Sequence, residues 1–453
     1  MTVSVRARML GDNARLRSRR PAPSFRIAGL TVCVTLLIAS CSTATEPAAS
    51  PSAPTTVTAV SAPPTASALQ TIDPETFRAV VDGLAKELNV PGAVVVLRTP
   101  QGNFDVAVGT TEIGAQTPPD ANTHFRIASN TKTMTAALIV LLAQDGKLKF
   151  SDPVSAYVPD VPNGENMTVA ELLKMRSGLY GYTADPALAV ILDADPTKVW
   201  TPQEVLDIAF RHPPQFAPDA SYEYSNTNYA LLGLIAEKVG GSPLTQQFED
   251  RLFGPVGLDQ TSLPTPAGAG TIPAPFSHGY MYGGSYYALA DDPYPAEMQA
   301  AAGAGTLQPI DYTNQNSSYA TAAGGAISTA DDLAAWMKAL VTGKVFNADF
   351  HQQWVTSLQA EDPSAPEGQK YGYGISYQRF GPDAAMYYHG GELPGFNSFM
   401  GYDPDNDVSL VIWTNLTLSP DGRTTAQAML APLLDEIYAG LSLAPPPTPT
   451  TTR

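Results

Sequence analysis

The stretch FRIASNTKTMTAALIVLLAQDG, residues 125–146, places a serine and a lysine at the start of a long apolar segment. Ser129 and Lys132 are three positions apart, so on a helix their side chains would lie on one face. The run AALIVLLA that follows is apolar almost all round, which predicts a helix buried in the core. We therefore expect Lys132 to be buried. Because burial lowers the proton affinity of an amine, such a lysine can act as a general base toward the serine hydroxyl.

A Ser-x-x-Lys pair is a weakly specific signal, since serine is also a favoured N-terminal cap of a helix. A second element, Tyr224-x-Asn226, stands in SYEYSNTNYALLG. A tyrosine can pass protons to a leaving group, and an asparagine amide can bind a substrate carbonyl. Tyr312-Thr313-Asn314 has the same spacing but lies in a polar loop with no helix pattern behind it. We therefore favour Tyr224 and Asn226.

A third element, His389-Gly390-Gly391, stands in YYHGGELPGFNS at the predicted end of a strand. Glycines there would let a substrate backbone come close to the strand edge. The alternative interpretation is a β-turn that carries a surface histidine. The three elements together, rather than any one of them, indicate a catalytic site.

In this order and spacing, S-x-x-K, Y-x-N and H-x-G resemble the serine hydrolases of the penicillin-binding protein and class C β-lactamase superfamily. The likeness extends to FRIASNTK, YSNTNYALLGLIAEKVGG and AAGGAISTADDLAAW, and it covers about residues 74–440. It is nearest to low-molecular-weight D-alanyl-D-alanine carboxypeptidases that have histidine where β-lactamases have the lysine of K-T-G. The resemblance implies an α+β, β-lactamase/transpeptidase-like fold: an antiparallel sheet flanked by helices plus a mostly helical lobe.

The same resemblance implies a role for each catalytic residue. Ser129 would be the acylated nucleophile, Lys132 its base, and Tyr224 the acid–base partner. The backbone N–H groups of Ser129 and Glu392 would form the oxyanion hole.

The substrate-binding residues implied by the resemblance are Asn226, His389, Gly391 and Glu392. Asn226 would hold the substrate amide, and His389 would line the pocket from the strand. One position departs from the family pattern, because Gly390 stands where the carboxypeptidases usually have a threonine that contacts the terminal carboxylate of the substrate. Esterases and D-amino-acid amidases of the superfamily tolerate glycine there.

A tyrosine-rich stretch, residues 280–319, has two equally supported interpretations. Its aromatic side chains could wall the pocket and set specificity, or they could pack a loop.

Capping patterns and apolar spacing place the three elements in a mixed fold. They predict helices that open at Thr168, Thr201 and Ser328, and another over TNYALLGLIAEKVGG. Alternating apolar residues predict two hairpins: residues 93–98 with 104–108 around a turn at 100–103, and residues 398–402 with 408–413. A helix over residues 424–440 would close the domain. We therefore predict one sheet assembled from both ends of the chain, with helices between.

The composition of the two ends of the chain is typical of export and tether segments. Residues 1–26 carry seven arginines and one acidic residue, and an apolar run of fourteen residues follows. Such a run rises about 21 Å as a helix, which is too short for a bilayer and typical of a signal peptide. Its end, with Cys41, resembles a bacterial lipobox. The alternative is an ordinary signal peptide.

These patterns divide the chain into a signal peptide (1–41), a Ser/Thr/Ala/Pro-rich tether (42–71), a serine hydrolase domain (72–442) and a disordered tail (443–453). We expect a protein exported and lipid-anchored through Cys41 at the outer face of the bacterial cell membrane, or secreted if Cys41 is not lipidated.

Composition excludes several function classes. With 26 basic and 43 acidic residues the chain has a net charge of −17, which disfavours nucleic acid as a partner. The five histidines stand singly, without the spacing of metal ligands, and no G-x-S-x-G occurs for a Ser-His-Asp enzyme. We expect neither a metal nor a cofactor.

The leading hypothesis is an extracytoplasmic serine hydrolase that acts through an acyl-enzyme on peptidoglycan-type D-peptides or β-lactams, as a D-Ala-D-Ala carboxypeptidase does. An esterase of the same superfamily, acting on lipid or small acyl esters, is the alternative. A catalytically inactive, lipid-anchored cell-wall-binding protein is disfavoured, because the serine, the lysine and the tyrosine are all present.

Overall fold

The computed structural model describes residues 68–290 and 293–441. The predicted signal peptide with Cys41, the tether as far as residue 67 and the tail lie outside the described residues. Residues 68–71, assigned to the tether from the sequence, pack on the domain: Leu69 forms a β-bridge with Tyr438, and the Gln70 N–H donates to Ile437 O at 3.1 Å. Across the described ranges, no helix combines the length and the apolar composition that crossing a membrane requires.

Most of the strands in the described residues belong to one antiparallel sheet. Numbered in chain order, the strands are β1 (Gly92–Thr99), β2 (Gly102–Gly109), β3 (Phe125–Arg126), β4 (Tyr280–Met281), β5 (Ile310–Asp311), β6 (Ile327–Ser328), β7 (Gln359–Ala360), β8 (Lys370–Tyr371), β9 (Ser376–Arg379), β10 (Ala385–Leu393), β11 (Phe396–Asp403) and β12 (Val408–Thr414). The order in the main sheet is β2–β1–β12–β11–β10–β9–β8–β7, so a strand near the start of the described residues pairs with one near their end, β1 with β12.

The described helices cover both faces of this sheet and form a lobe beside it. They are α1 (Pro74–Glu87), α2 (Thr131–Gln144), α3 (Val169–Leu173), α4 (Pro186–Ala194), α5 (Pro202–Ala209), α6 (Asn226–Gly240), α7 (Leu244–Phe248), α8 (Gly254–Val256), α9 (Tyr286–Leu289), α10 (Ala296–Gly303), α11 (Thr321–Gly324), α12 (Ala330–Val341), α13 (Ala348–Thr356) and α14 (Thr425–Ile437).

The sheet separates two hydrophobic cores. On one face, α1 and α14 pack against side chains such as Val95 and Ile412. On the other face, α12 and the helical lobe pack around Trp413. Strands β11 and β12 are buried along their whole length, as expected for central strands covered on both faces. The predicted α+β fold, an antiparallel sheet flanked by helices, is confirmed.

Helix α2 runs through the centre of the lobe, and its residues from Thr131 to Ala143 are all buried. It packs against α6 and α11. Helix α6 ends where the double glycine predicted a stop, because Gly241 takes up the left-handed conformation, with φ +78. The apolar segment after Ser129 thus forms a buried central helix, and the elements of the site pack around it.

Capping contacts support two of the predicted helix starts and shift the third. Thr168 and Thr201 each accept the backbone N–H three residues on, in complete capping boxes. The predicted start at Ser328 was wrong by one residue: Thr329 caps α12 by accepting the Asp332 N–H, because Ser328 belongs to strand β6. The first hairpin is also tighter than predicted, since Thr99 pairs directly with Gly102 across a two-residue turn.

Candidate active site

Ser129 lies on a tight turn that joins β3 to α2. Residues Ala128–Asn130 form a 3₁₀ turn ahead of the α-helix, and Ala128 has a positive φ of 51. The turn is held on both sides: Asn130 Nδ2 donates to Ile127 O at 2.9 Å and to Ser398 Oγ at 2.8 Å. Thr131 Oγ1 donates to Ala128 O at 2.7 Å. The serine is therefore fixed between the sheet and the helix.

Lys132 is wholly buried one turn further on, with 0% of its surface exposed. Its Nζ donates to Ser129 Oγ at 2.9 Å and to Ala323 O, in α11, at 2.7 Å. Burial holds the pKa of Lys132 well below the usual value of a lysine. A neutral amine at this distance can take the proton of the serine hydroxyl.

Tyr224 lies in the segment before α6, with its ring against the lysine. Lys132 Nζ is 4.9 Å from the centre of the Tyr224 ring, and the phenol is 40% exposed. Asn226 begins α6, and its Nδ2 donates to Thr183 Oγ1 at 2.9 Å. Ser129, Tyr224 and Asn226 all line one cavity. The alternative Tyr312 lies elsewhere, with its hydroxyl donating to Gly283 O at 2.8 Å.

His389 lies in the middle of β10 rather than at a strand end, and it is 4% exposed. Its Nε2 lies 3.2 Å from the hydroxyl of Tyr371, and its Nδ1 lies 2.7 Å from Gly390 O. A carbonyl can only accept, so Nδ1 carries the proton and Nε2 accepts from the tyrosine. Burial and the nearby charge of Lys132 lower the pKa of His389 to about 3. The structure places this neutral imidazole behind the wall of the cavity rather than among the residues that line it.

The two glycines after His389 face opposite sides of the sheet. A β-carbon at Gly391 would lie within 3.0 Å of Ile127 O, Ser398 Oγ and Asn130 Nδ2, so the strand can approach the serine turn only because this residue is glycine. A β-carbon at Gly390 would instead lie 2.6 Å from Gln427 Nε2, in α14. A side chain at position 390 would therefore start out toward α14.

The cavity has a volume of about 270 Å³ and an aromatic and aliphatic wall. Its aromatic members besides Tyr224 are Tyr180, Tyr182 and Tyr319; a short aliphatic stretch comes from Ala288, Leu289 and Ala290. The charged residues that line it are Glu223 and Glu392. The Glu392 carboxylate accepts from Asn397 Nδ2 at 3.3 Å.

The tyrosine-rich stretch divides between the two roles that the sequence left open. Tyr319 belongs to the cavity wall. Tyr282, Tyr287 and Tyr294 pack with one another, and the rings of Tyr287 and Tyr294 are 4.9 Å apart. This part of the stretch serves mainly to pack a loop.

Sequence reasoning missed two partners of the site. One is the carbonyl of Ala323, which holds Lys132 although it comes from a segment almost two hundred residues away. The other is Tyr371, which is fully buried and orients His389. A backbone carbonyl leaves no sequence signal, and Tyr371 is one tyrosine among many. Within the part of the chain that the structure describes, no group of three His, Cys, Asp or Glu side chains is placed to hold a metal ion.

The protonation of Lys132 predicts the pH dependence of the reaction. Lowering the pH should protonate Lys132, so kcat/KM is expected to fall as pH drops through the pKa of this lysine in the free enzyme. Because burial lowers that pKa, the limb should lie well below the titration range of an ordinary lysine. The measurement is kcat/KM against pH. A rate that stays constant down to the pKa of His389, about 3, would contradict the role of Lys132 as base.

Comparison with known proteins agrees with this geometry. A family model described as Beta-lactamase matches residues 77–433. The chain belongs to the Beta-lactamase family. Among curated relatives it is 22% identical to the putative penicillin-binding protein PbpX of Bacillus subtilis (strain 168), over 74% of this chain and 73% of that protein. It is 24% identical to protein flp of Staphylococcus aureus (strain MW2), over 72% of this chain but only 60% of that protein.

Two solved structures share both fold and sequence with this chain. A D-stereospecific amidohydrolase from Streptomyces sp. is 27% identical with a TM-score of 0.67, and the match covers 80% of this chain and 99% of that chain. A D-amino acid amidase from Ochrobactrum anthropi SV3 is 27% identical with a TM-score of 0.66, covering 80% and 97%. This chain is thus a β-lactamase-fold serine hydrolase.

Proposed function

We propose that this hydrolase forms an acyl-enzyme on Ser129 and cleaves amide bonds next to D-amino acid residues, in D-peptides or in amides of single D-amino acids. The observation that carries the proposal is the 2.9 Å hydrogen bond between Lys132 Nζ and Ser129 Oγ, made by a lysine with no exposed surface. A buried amine in this position has one evident use, which is to accept the proton of the hydroxyl.

The reaction follows from the positions of three side chains. Lys132 takes the proton of Ser129 as Oγ bonds to the substrate carbonyl carbon. The backbone N–H groups of Ser129 and Glu392 donate hydrogen bonds to the carbonyl oxygen and stabilise the negative charge that develops on it. Tyr224 then hands a proton to the leaving nitrogen as the C–N bond breaks and receives in turn the proton that Lys132 took from Ser129, so the acyl group remains on Oγ and both side chains return to their starting state. In the second half a water molecule attacks the ester carbonyl carbon, the bond to Oγ breaks, and the proton that the water loses passes to Ser129 Oγ.

The D-amino-acid substrate class is supported by the two related structures, whose names describe D-specific amide hydrolases. A strict D-Ala-D-Ala carboxypeptidase is less well supported. That activity needs a group to bind the terminal carboxylate of the substrate; position 390, where the family usually has a threonine, has no side chain here, and its Cβ direction points toward α14. His389 is neutral and lies behind the cavity wall, so it does not replace the lost contact.

Export and lipid anchoring remain part of the proposal. They rest on the arginine-rich start, the short apolar run and Cys41 in the sequence. Such a location would place the enzyme beside peptidoglycan, in which D-amino acids are abundant. Radiolabelled palmitate incorporated by cells expressing the full chain, and not by cells expressing Cys41→Ser, would support the anchor. Equal labelling of both would contradict it.

The test of the chemistry is intact-mass spectrometry of the protein from residue 42, mixed with benzylpenicillin or with D-phenylalanine p-nitroanilide. We expect an adduct, or turnover, on the wild type and none on Ser129→Ala. An adduct equally present on Ser129→Ala would overturn the assignment of the nucleophile. Turnover of short acyl esters alone would favour the esterase. A wild type that reacts with no amide, penicillin or ester would favour the inactive binding protein.

A further inference from the structure

The charges around the cavity are of one sign. Its charged lining residues are Glu223 and Glu392, and no lysine, arginine or histidine lines it among the described residues. The whole chain reinforces this bias with its net charge of −17. A negative cavity on a negative protein attracts cationic ligands and repels anionic ones.

The nearest bases do not cancel this charge. Lys132 is buried below the cavity floor, and its Nζ already donates hydrogen bonds to Ser129 Oγ and Ala323 O. Both ring nitrogens of His389 are used, one by Tyr371 and the other by Gly390. A carboxylate on the leaving group of a substrate would therefore find no cation to pair with.

The two carboxylates differ in how they are held. Glu392 accepts from Asn397 Nδ2, which ties it to the start of β11. Glu223 directly precedes Tyr224, and its backbone N–H donates to Met175 O at 3.0 Å, whereas its carboxylate makes no hydrogen bond or ion pair with the residues that the structure describes. Its side chain is exposed to solvent at the cavity. Glu223 is therefore the carboxylate that a ligand in the cavity can reach without breaking an existing contact.

We infer that the cavity selects substrates with a free ammonium group next to the scissile carbonyl, and that Glu223 pairs with this ammonium. The substrates would be amides of single D-amino acids or peptides with a free N-terminal D-residue, rather than peptides cleaved ahead of a free C-terminal carboxylate. The inference rests on the proposed function, because it concerns the acyl side of the bond that Ser129 would attack. In the acyl-enzyme the ammonium would lie one carbon from the ester.

Binding to the Ser129→Ala protein tests the inference without requiring turnover. The ligands are D-phenylalanine amide and 3-phenylpropanamide, which has the same shape but lacks the amine. We expect the amine to bind about tenfold more tightly, the worth of one hydrogen bond to a charged group. In Ser129→Ala/Glu223→Gln the two ligands should bind within about twofold of each other. Added salt should shrink the preference, since the pair is exposed.

Two control variants locate the effect. Glu367→Gln changes an exposed glutamate outside the cavity and should leave the preference intact. Loss of the preference in Glu392→Gln instead of Glu223→Gln would overturn the assignment to Glu223. Equal binding of the two ligands by Ser129→Ala would overturn the inference as a whole.

Kinetics separates this inference from the proposed function. With the wild type, D-phenylalanine amide should be hydrolysed faster than N-acetyl-D-phenylalanyl-D-alanine, and Glu223→Gln should raise KM for the amine without changing KM for an uncharged ester. If Ser129 is acylated but the N-acetyl dipeptide is the better substrate, the proposed function stands and the inference fails. If Ser129 is never acylated, the proposed function fails, whatever the binding preference.

Discussion

Replacing Lys132 by methionine is expected to lower kcat/KM about 10²-fold to 10⁴-fold, the usual contribution of a positioned general base. The amine of Lys132 is hydrogen-bonded to Ser129 Oγ and its pKa is lowered by burial, so it is the group placed to take the proton of the serine. Methionine fills nearly the same volume in a wholly buried site. The measurement is the rate of Ser129 acylation by an activated D-amino acid ester.

Two further measurements show whether the loss of activity in Lys132→Met has a catalytic cause or results from unfolding: the free energy of unfolding and the rate of a double variant. The substitution removes a buried polar group but also leaves Ala323 O without its donor, so the free energy of unfolding of Lys132→Met should stay within about 2 kcal/mol of the wild type. The double variant Ser129→Ala/Lys132→Met should be no slower than Ser129→Ala alone, since residues that act as one unit do not contribute additively. A Lys132→Met protein that acylates at the wild-type rate would refute the role of the lysine.

Gly391→Ala is expected to destabilise the protein by about 3 kcal/mol, as overpacking of a closely packed core does. The added methyl group would collide with the backbone oxygen of Ile127 and with the side chains of Ser398 and Asn130. These groups hold the turn that carries Ser129, so acylation should slow as well. Urea denaturation and the acylation rate provide the two measurements.

Gly390→Ala is the matched control for this prediction. At that position the methyl group would meet the end of the Gln427 side chain, which can move aside. We expect the free energy of unfolding to change by less than about 1 kcal/mol. If the two variants were equally destabilised, the packing of β10 on the serine turn would not be the reason that residue 391 is glycine.

The elements that the sequence predicted well are those with a local cause. The two hairpins, the capping boxes at Thr168 and Thr201 and the stop of α6 at Gly241 depend on residues within a few positions of one another. The start of α12 was misplaced because serine and threonine are both favoured N-terminal caps and stand next to each other here. Only the pairing of Ser328 with Phe125, from a distant part of the chain, decides between them.

The features of the site likewise divide into those with a local cause in the sequence and those that depend on distant segments of the chain. Ser129 and Lys132 are three positions apart in sequence, and the apolar run behind them determines that the lysine enters the core. The elements around Tyr224 and His389 could be recognised by their order, but their orientation could not. Whether a histidine on a strand faces a cavity or a neighbouring tyrosine depends on which strand lies beside it.

By itself, then, the sequence determined the α+β class, the buried Ser-Lys pair and the membership of a serine hydrolase family, because periodicity, capping and short motifs are local properties. Only the tertiary structure decided that His389 is a neutral group behind the cavity, that Gly390 faces α14, and that the charged side chains lining the cavity, among those the structure describes, are carboxylates. These features arise where segments far apart in the chain pack together, and the charge that a substrate meets is the sum of what those segments contribute.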